Sequence, residues 1–240
     1  MVDDDRPPAP GADDDPERTL LVRQLRAMVR RHPVWLAARR IADGPVHPGE
    51  RCLYVGVDEQ TRRATSSGRL VCRELLRAMG VAPRPILRDD GGAPRWPIGI
   101  GGTLAHDDAF AVGLAWAGGP LLWGIDVEPP LPLPAEILDD VVITDDERRY
   151  TGDDPVVARA VFCAKEAAFK ATWPLHRRVL EFRDVVVSHP FLATPRRADA
   201  RPTWAFADTP AGRVSVALAY EPRLVAVAHV RPDRPPPAGR

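Results

Sequence analysis

Trp123-Gly124-Ile125-Asp126-Val127-Glu128 places two carboxylates at i and i+2 of a strand-like run. On a strand both point to one face, with Cα atoms roughly 7 Å apart, while Val127 turns the other way into a core. Alone, such a pair suits a solvated face as well as a cation site. A third acid changes the balance: Glu166, in Phe162-Cys163-Ala164-Lys165-Glu166-Ala167-Ala168-Phe169-Lys170. Three carboxylates offer hard oxygen donors of the kind Mg²⁺ takes, its remaining positions filled by water and substrate phosphates. The chemistry this points to is metal-assisted work on a phosphate.

That segment also holds Lys165 and Lys170, the only lysines among 33 basic residues. A chain that otherwise uses arginine keeps lysine where a compact ammonium on a flexible stem is needed in place of a planar fork. Glu166 and Lys170 also match an ordinary i,i+4 surface pair. Phe162, Glu166, Lys170 and Trp173 fall along one helical stripe, and Lys165 is turned about 100° from it, within reach of the rim. His106 follows Gly101-Gly102-Thr103-Leu104-Ala105, read as a Gly-rich turn whose N–H groups could face an anion. A histidine there serves equally as a structural hydrogen-bonding group. Arg69, Arg73 and Arg77, at i, i+4 and i+8, form either a phosphate-gripping cationic ridge or a solvated face.

These groups need elements to position them. The chain has 240 residues, 45% apolar and 28% charged, enough for a real core. Leu21, Leu25 and Met28 mark an amphipathic helix over about 18–31, and a second helix runs near 67–79 from Ser66 or Ser67 to Gly80. Residues 109–116 and 121–128 read as consecutive strands around Gly118-Gly119-Pro120. A third helix begins at an Asp154 cap with Pro155 in its first turn and continues to about Trp173. Val185–Val187, Val214–Tyr220 and Leu224–Val230 read as strands, the last two as a meander. The pattern predicts an α+β fold of two similar halves, 18–118 and 119–232, between tails read as disordered at 1–17 and 233–240.

The net charge of zero hides an uneven distribution. Residues 1–17 carry seven acids and one arginine, whereas 18–88 carry fifteen arginines against five acids. That excess favours anionic partners: nucleotide phosphates, nucleic acid or an acidic protein surface. Three cysteines without metal-ligand spacing fit a reducing cytoplasm. The acidic N-terminus is unlike a signal peptide, and the long uncharged run, 109–125, is broken by Gly-Gly-Pro, so no membrane span is expected.

Gly124-Ile125-Asp126-Val127-Glu128, followed by Phe162 to Ala171, resembles the signature pair of the 4′-phosphopantetheinyl transferases. Upstream, Ala93-Pro94-Arg95-Trp96-Pro97-Ile98-Gly99 leading to Leu104-Ala105-His106, with Gly68-Arg69 and Arg73, resembles the surfactin-type, double-length group. The similarity comes closest to the enterobactin synthase component D branch. It covers roughly 50–185. Ala105 stands where many members have serine, and Ala64-Thr65 replaces an acid-aromatic pair.

The resemblance implies a pseudo-dimer within one chain, with coenzyme A in the cleft between the halves and a monomeric state. It implies transfer of the 4′-phosphopantetheine arm to a serine of an apo acyl or peptidyl carrier protein, with release of adenosine 3′,5′-bisphosphate. Asp126, Glu128 and Glu166 would be the Mg²⁺ ligands, and Glu166 would also take the serine proton. Lys170 and Lys165 would neutralise the pyrophosphate, and Arg69 and His106 would hold coenzyme A phosphates. Siderophore, polyketide, peptide and fatty acid pathways all offer such carriers, and neither nucleic acid nor membrane is an expected partner. The residues alone also allow a Mg²⁺-dependent nuclease or phosphatase, or a non-catalytic coenzyme A or nucleic-acid binding module.

Overall fold

The computed structural model describes residues 15–188 and 202–233. Its elements are α1 (Pro16–Val29), β1 (Trp35–Arg40), α2 (Glu59–Ala78), β2 (Ile100–His106), β3 (Phe110–Ala117), β4 (Leu122–Glu128), α3 (Ala135–Val141), α4 (Asp145–Thr151), α5 (Pro155–His176), β5 (Val186–Ser188), β6 (Thr203–Thr209), β7 (Gly212–Ala219) and β8 (Leu224–Val230). One sheet runs β1-β3-β2 and the other β4-β8-β7-β6-β5, with every pairing antiparallel. This is an α+β fold, and each half packs one long helix, α2 or α5, on its own sheet.

β3 and β4, the consecutive strands read around Gly118-Gly119-Pro120, form as expected but lie in different sheets. Gly118 and Gly119 both take positive φ (62° and 88°), and the chain leaves the first sheet there for the second. β4 pairs with β8 instead, placing Asp126 opposite Ala226 and Glu128 opposite Leu224. β2 and β4 still meet between the halves, where the Ile125 amide donates to Thr103 Oγ1 (3.3 Å). A shared core seals this seam: Leu21 and Leu25 of α1, Val112 and Leu114 of β3, Ile125 and Val127 of β4, and Val225 and Val227 of β8. A second core lies between α5 and the other face of the larger sheet.

Helix α2 starts eight residues before the expected position. Asp58 caps it by accepting from the Thr61 amide (2.8 Å), so Ser66 and Ser67 lie inside the helix. The Ser67 hydroxyl bonds to both the amide and the carbonyl of Ala42 (3.1 and 3.2 Å), so the serines that suggested a cap are packing contacts. Gly80, at φ 73°, ends the helix as expected.

The arginine ridge is turned inward. Arg69 and Arg73 are buried, and Arg73 Nη1 donates to both carboxylate oxygens of fully buried Glu50 (2.8 Å each). Glu50 also accepts from the Ile86 amide, tying the 48–54 turn to the segment after α2. Only Arg77 of the three faces solvent.

The tail expected to be disordered over 1–17 is structured at residues 15–17. Residues 1–14, like 234–240, lie outside the described residues, whereas Asp15 caps α1 and Glu17 belongs to it. Asp15 pairs with Arg40 (2.8 and 3.0 Å), and this hydrogen bond holds its carboxyl down at about 2, from 3.8. A depressed folded value stabilises above 3.8 and is lost as pH falls through about 2. Asp15→Asn should therefore cost about 1 kcal/mol at neutral pH, since the pair is partly exposed. Urea midpoints should show this difference at pH 7 and lose it below about pH 2.

Candidate functional site: an acid-base ladder between β4 and α5

Gly124 sets the spacing of the site. A Cβ there would lie 2.0 Å from the Ala167 carbonyl oxygen and 2.5 Å from the Ala171 nitrogen, so α5 rests directly on the β4 backbone. Close approach of this kind is a recognised reason for glycine within a strand. It brings the acids of β4 level with one stripe of α5, and Val127 points into the shared core as its alternation requires.

Asp126 is 5% exposed and accepts from Lys170 Nζ through Oδ1 (2.6 Å). Burial disfavours the Lys170 charge, but Asp126 and Glu166 more than offset that and raise its pKa. Glu166 is half-buried, and burial raises its carboxyl with Asp126 adding to the rise and Lys170 opposing it. Burial first and Asp126 second push Glu128 up to about 7, against the pull of Arg159. His106, at the end of β2, brings the first half to this cluster. Its ring keeps an exposed edge, but desolvation by the surrounding atoms and then the Lys170 charge lower its pKa, while Asp107 and then Asp126 act in the opposite sense.

Asp126 Oδ2 is buried and makes no hydrogen bond. An orphaned carboxylate oxygen costs free energy unless something meets it, and a cation would. The acids that act on one another here, Asp126, Glu128 and Glu166, are all carboxylates, the donor type a hard divalent ion takes. As they stand, Asp126 is engaged by Lys170 and Glu128 by Arg159. Among the described residues no three His, Cys, Asp or Glu side chains are gathered closely enough to hold a metal. The residues fit a hard cation in kind, although the structure does not gather three of them around one point.

Three expectations require correction. Lys165 does not reach the rim. It is 1% exposed, and its ammonium lies 2.9 Å from fully buried Glu147 and donates to the Phe182 carbonyl (3.0 Å). Glu147 closes the capping box of α4 with Thr144 and accepts from the Val187 amide, so Lys165 locks α4 and β5 to α5. Arg69 is 3% exposed and packed near Tyr54 and Cys72, so it belongs to no open ridge, although its buried Nε makes no hydrogen bond. The Gly-rich segment before His106 is strand, not turn: Gly101 and Gly102 pair with Trp116 and Ala115. Added Cβ atoms there would strike Trp116 and Trp96 at 2.2 Å, so the glycines seat indole rings.

Sequence reasoning passed over Arg159 and Glu147. Thr144-x-x-Glu147 is a legible capping box, and Arg159 precedes Glu166 by seven residues, on the same helical stripe. Trp173, on that stripe, meets the first half: its indole N–H donates to Asp89 Oδ2 (3.3 Å), and Gly91 packs under its ring.

A two-half α+β enzyme with acids on a strand, facing a Glu-Lys helix at the seam, is the class that fold and site define. Residues 59–116 match the 4′-phosphopantetheinyl transferase N-terminal domain, and residues 123–219 match the 4′-phosphopantetheinyl transferase superfamily. The 4′-phosphopantetheinyl transferase Npt of Nocardia iowensis is 35% identical over 149 residues, which is 61% of this chain and 67% of that protein. PptT of Mycobacterium tuberculosis is 37% identical over 48% of this chain, and Svp of Streptomyces mobaraensis 35% over 48%. The aligned regions span about half the length of those two, 53% and 49%. The chain belongs to the 4′-phosphopantetheinyl transferase superfamily. No described helix is long and apolar enough to cross a membrane.

Proposed function

We propose that the chain transfers the 4′-phosphopantetheine arm of coenzyme A to a serine of an apo acyl or peptidyl carrier protein, releasing adenosine 3′,5′-bisphosphate. The observation that carries this reading is Asp126, with one oxygen on Lys170 and the other orphaned, beside Glu166 within the family-matched region. Its two-half chain is the ground for a surfactin-type, monomeric architecture; a place near the enterobactin synthase component D branch, the cytoplasm and a carrier of secondary metabolism such as siderophore assembly complete the proposal.

The serine oxygen forms a bond to the coenzyme A phosphorus that bears the pantetheine arm, and the bond from that phosphorus to the bridging oxygen breaks. Catalysis of such a transfer is mainly positioning and charge stabilisation. Glu166, whose carboxyl is raised by burial, takes the serine proton directly or through a water. Lys170 offsets charge growing on the departing phosphate, and His106 meets coenzyme A phosphates from the first half. A Mg²⁺ ion held by Asp126, Glu128 and Glu166 would supply neutralisation of the pyrophosphate oxygens.

Lys170 is 27% exposed and reaches Asp126 as a point charge. An arginine there would carry a planar fork past the space one ammonium fills. Lys170→Arg should lower the rate at saturating coenzyme A at least about tenfold, roughly 1.4 kcal/mol, with an unchanged circular dichroism spectrum. Holo-carrier formation followed by mass spectrometry gives the rate, and a wild-type rate would show that the lysine is incidental.

A further inference from the structure

Arg159 lies on the same α5 stripe as Glu166 and Lys170, one end of a ladder whose other rung is Lys170-Asp126. Its guanidinium makes three contacts. Nε donates to the Leu131 carbonyl (2.8 Å), Nη2 to the Pro132 carbonyl (2.8 Å), and Nη1 to Glu128 Oε2 (2.5 Å). Both side chains of the pair are largely buried, 13% exposed for Arg159 and 18% for Glu128.

Two fixed backbone carbonyls hold the fork, so the nitrogen facing Glu128 is anchored independently of that carboxylate. The carboxylate is thereby pinned through Oε2, and Oε1 stands outside the pair. We infer that Arg159 is a positioning residue that presents Glu128 to a divalent cation shared with Asp126. The two cations of the ladder then divide by geometry: a fork where three acceptors must be met, and a point charge where one must. This inference rests on the metal reading proposed above.

Charge counting alone gives the opposite sign. A guanidinium beside two acids repels a second cation, so a mere counter-ion would strengthen metal binding when removed. Positioning predicts weakening, because outer contacts that orient a ligand typically contribute ten- to a hundredfold of affinity. The two accounts therefore separate in one measurement.

Mn²⁺ affinity, read by electron paramagnetic resonance alongside thermal melting, should be measured for wild type, Arg159→Lys, Arg159→Gln, Glu128→Gln and the Arg159→Lys/Glu128→Gln double variant. Arg159→Gln, which removes the charge, should bind Mn²⁺ at least about tenfold more weakly where the counter-ion account expects tighter binding, and so should Arg159→Lys, which keeps the charge without the fork. It should melt cooperatively, and its transfer rate should recover in excess Mn²⁺. In the Glu128→Gln background the same change should have less than about a twofold effect, because Arg159 acts through that carboxylate. Affinity equal to wild type in Arg159→Lys, or equal to or tighter than wild type in Arg159→Gln, overturns the inference, as does an equal loss with and without Glu128. Loss of folding in both Arg159 variants assigns a structural role and overturns it too. Asp126→Ala serves as the separate control: if it leaves Mn²⁺ binding unchanged, the metal reading itself fails.

Discussion

Asp126→Ala should lower phosphopantetheine transfer at least about a hundredfold, roughly 2.7 kcal/mol of barrier. The side chain makes two contributions that alanine cannot replace. Oδ1 holds the Lys170 ammonium at 2.6 Å, and Oδ2 is the buried oxygen left for a cation. Removing it frees Lys170 from its anchor and takes away one of the three acids that would hold the metal. The wild-type protein should lose activity in a chelator and regain it with Mg²⁺ or Mn²⁺, whereas Asp126→Ala should stay low in either. Full activity of the purified variant in excess chelator would remove Asp126 from the site.

Lys165→Ala is expected to act on stability, by about 3–5 kcal/mol, because it leaves Glu147 buried without its cation. For a chain of this length that corresponds to a fall in melting temperature of roughly 10 °C. The effect should reach beyond α5, since Glu147 also accepts the Ile143, Thr144 and Val187 amides. Pairing Lys165→Met with Glu147→Gln removes both charges together and should recover part of the loss. A Lys165→Ala melting temperature within about 1 °C of wild type, read by calorimetry, would contradict a structural role for this pair.

The two lysines show how far the sequence could be read. Their spacing set Glu166 and Lys170 on one helical stripe, and the alternation around Val127 set Asp126 and Glu128 on one strand face; that the two faces meet was implied only by the family resemblance and is seen in the Lys170–Asp126 contact. Lys165 was misjudged because a single helix gives no view of what covers it: Glu147 arrives from a separate helix and Phe182 from the chain beyond α5. Arg73 was misjudged in the same way: the turn holding Glu50 immediately precedes α2, but it folds back so that Glu50 meets Arg73 across a separation of 23 residues, a contact no helix periodicity reveals.

Strands were legible where apolar runs were long. β1, with its paired arginines, and β2, with its adjacent glycines, lack a strong strand signature. Their pairing with β3 comes from tertiary contact, and in β2 the glycines are kept by the indoles of Trp96 and Trp116. Gly124 carried a readable sign of close helix approach, but which helix it meets is a property of the fold.

Intact-mass measurement after incubation with coenzyme A, Mg²⁺ and a panel of apo carrier domains tests the central claim most directly. The expected result is that at least one carrier gains a single phosphopantetheine arm on its serine, with adenosine 3′,5′-bisphosphate released in equal amount, and that Asp126→Ala abolishes both. If every carrier keeps its apo mass while coenzyme A is hydrolysed or a nucleic acid is cut in a Mg²⁺-dependent way, the site belongs to a phosphatase or nuclease and the transferase account is wrong.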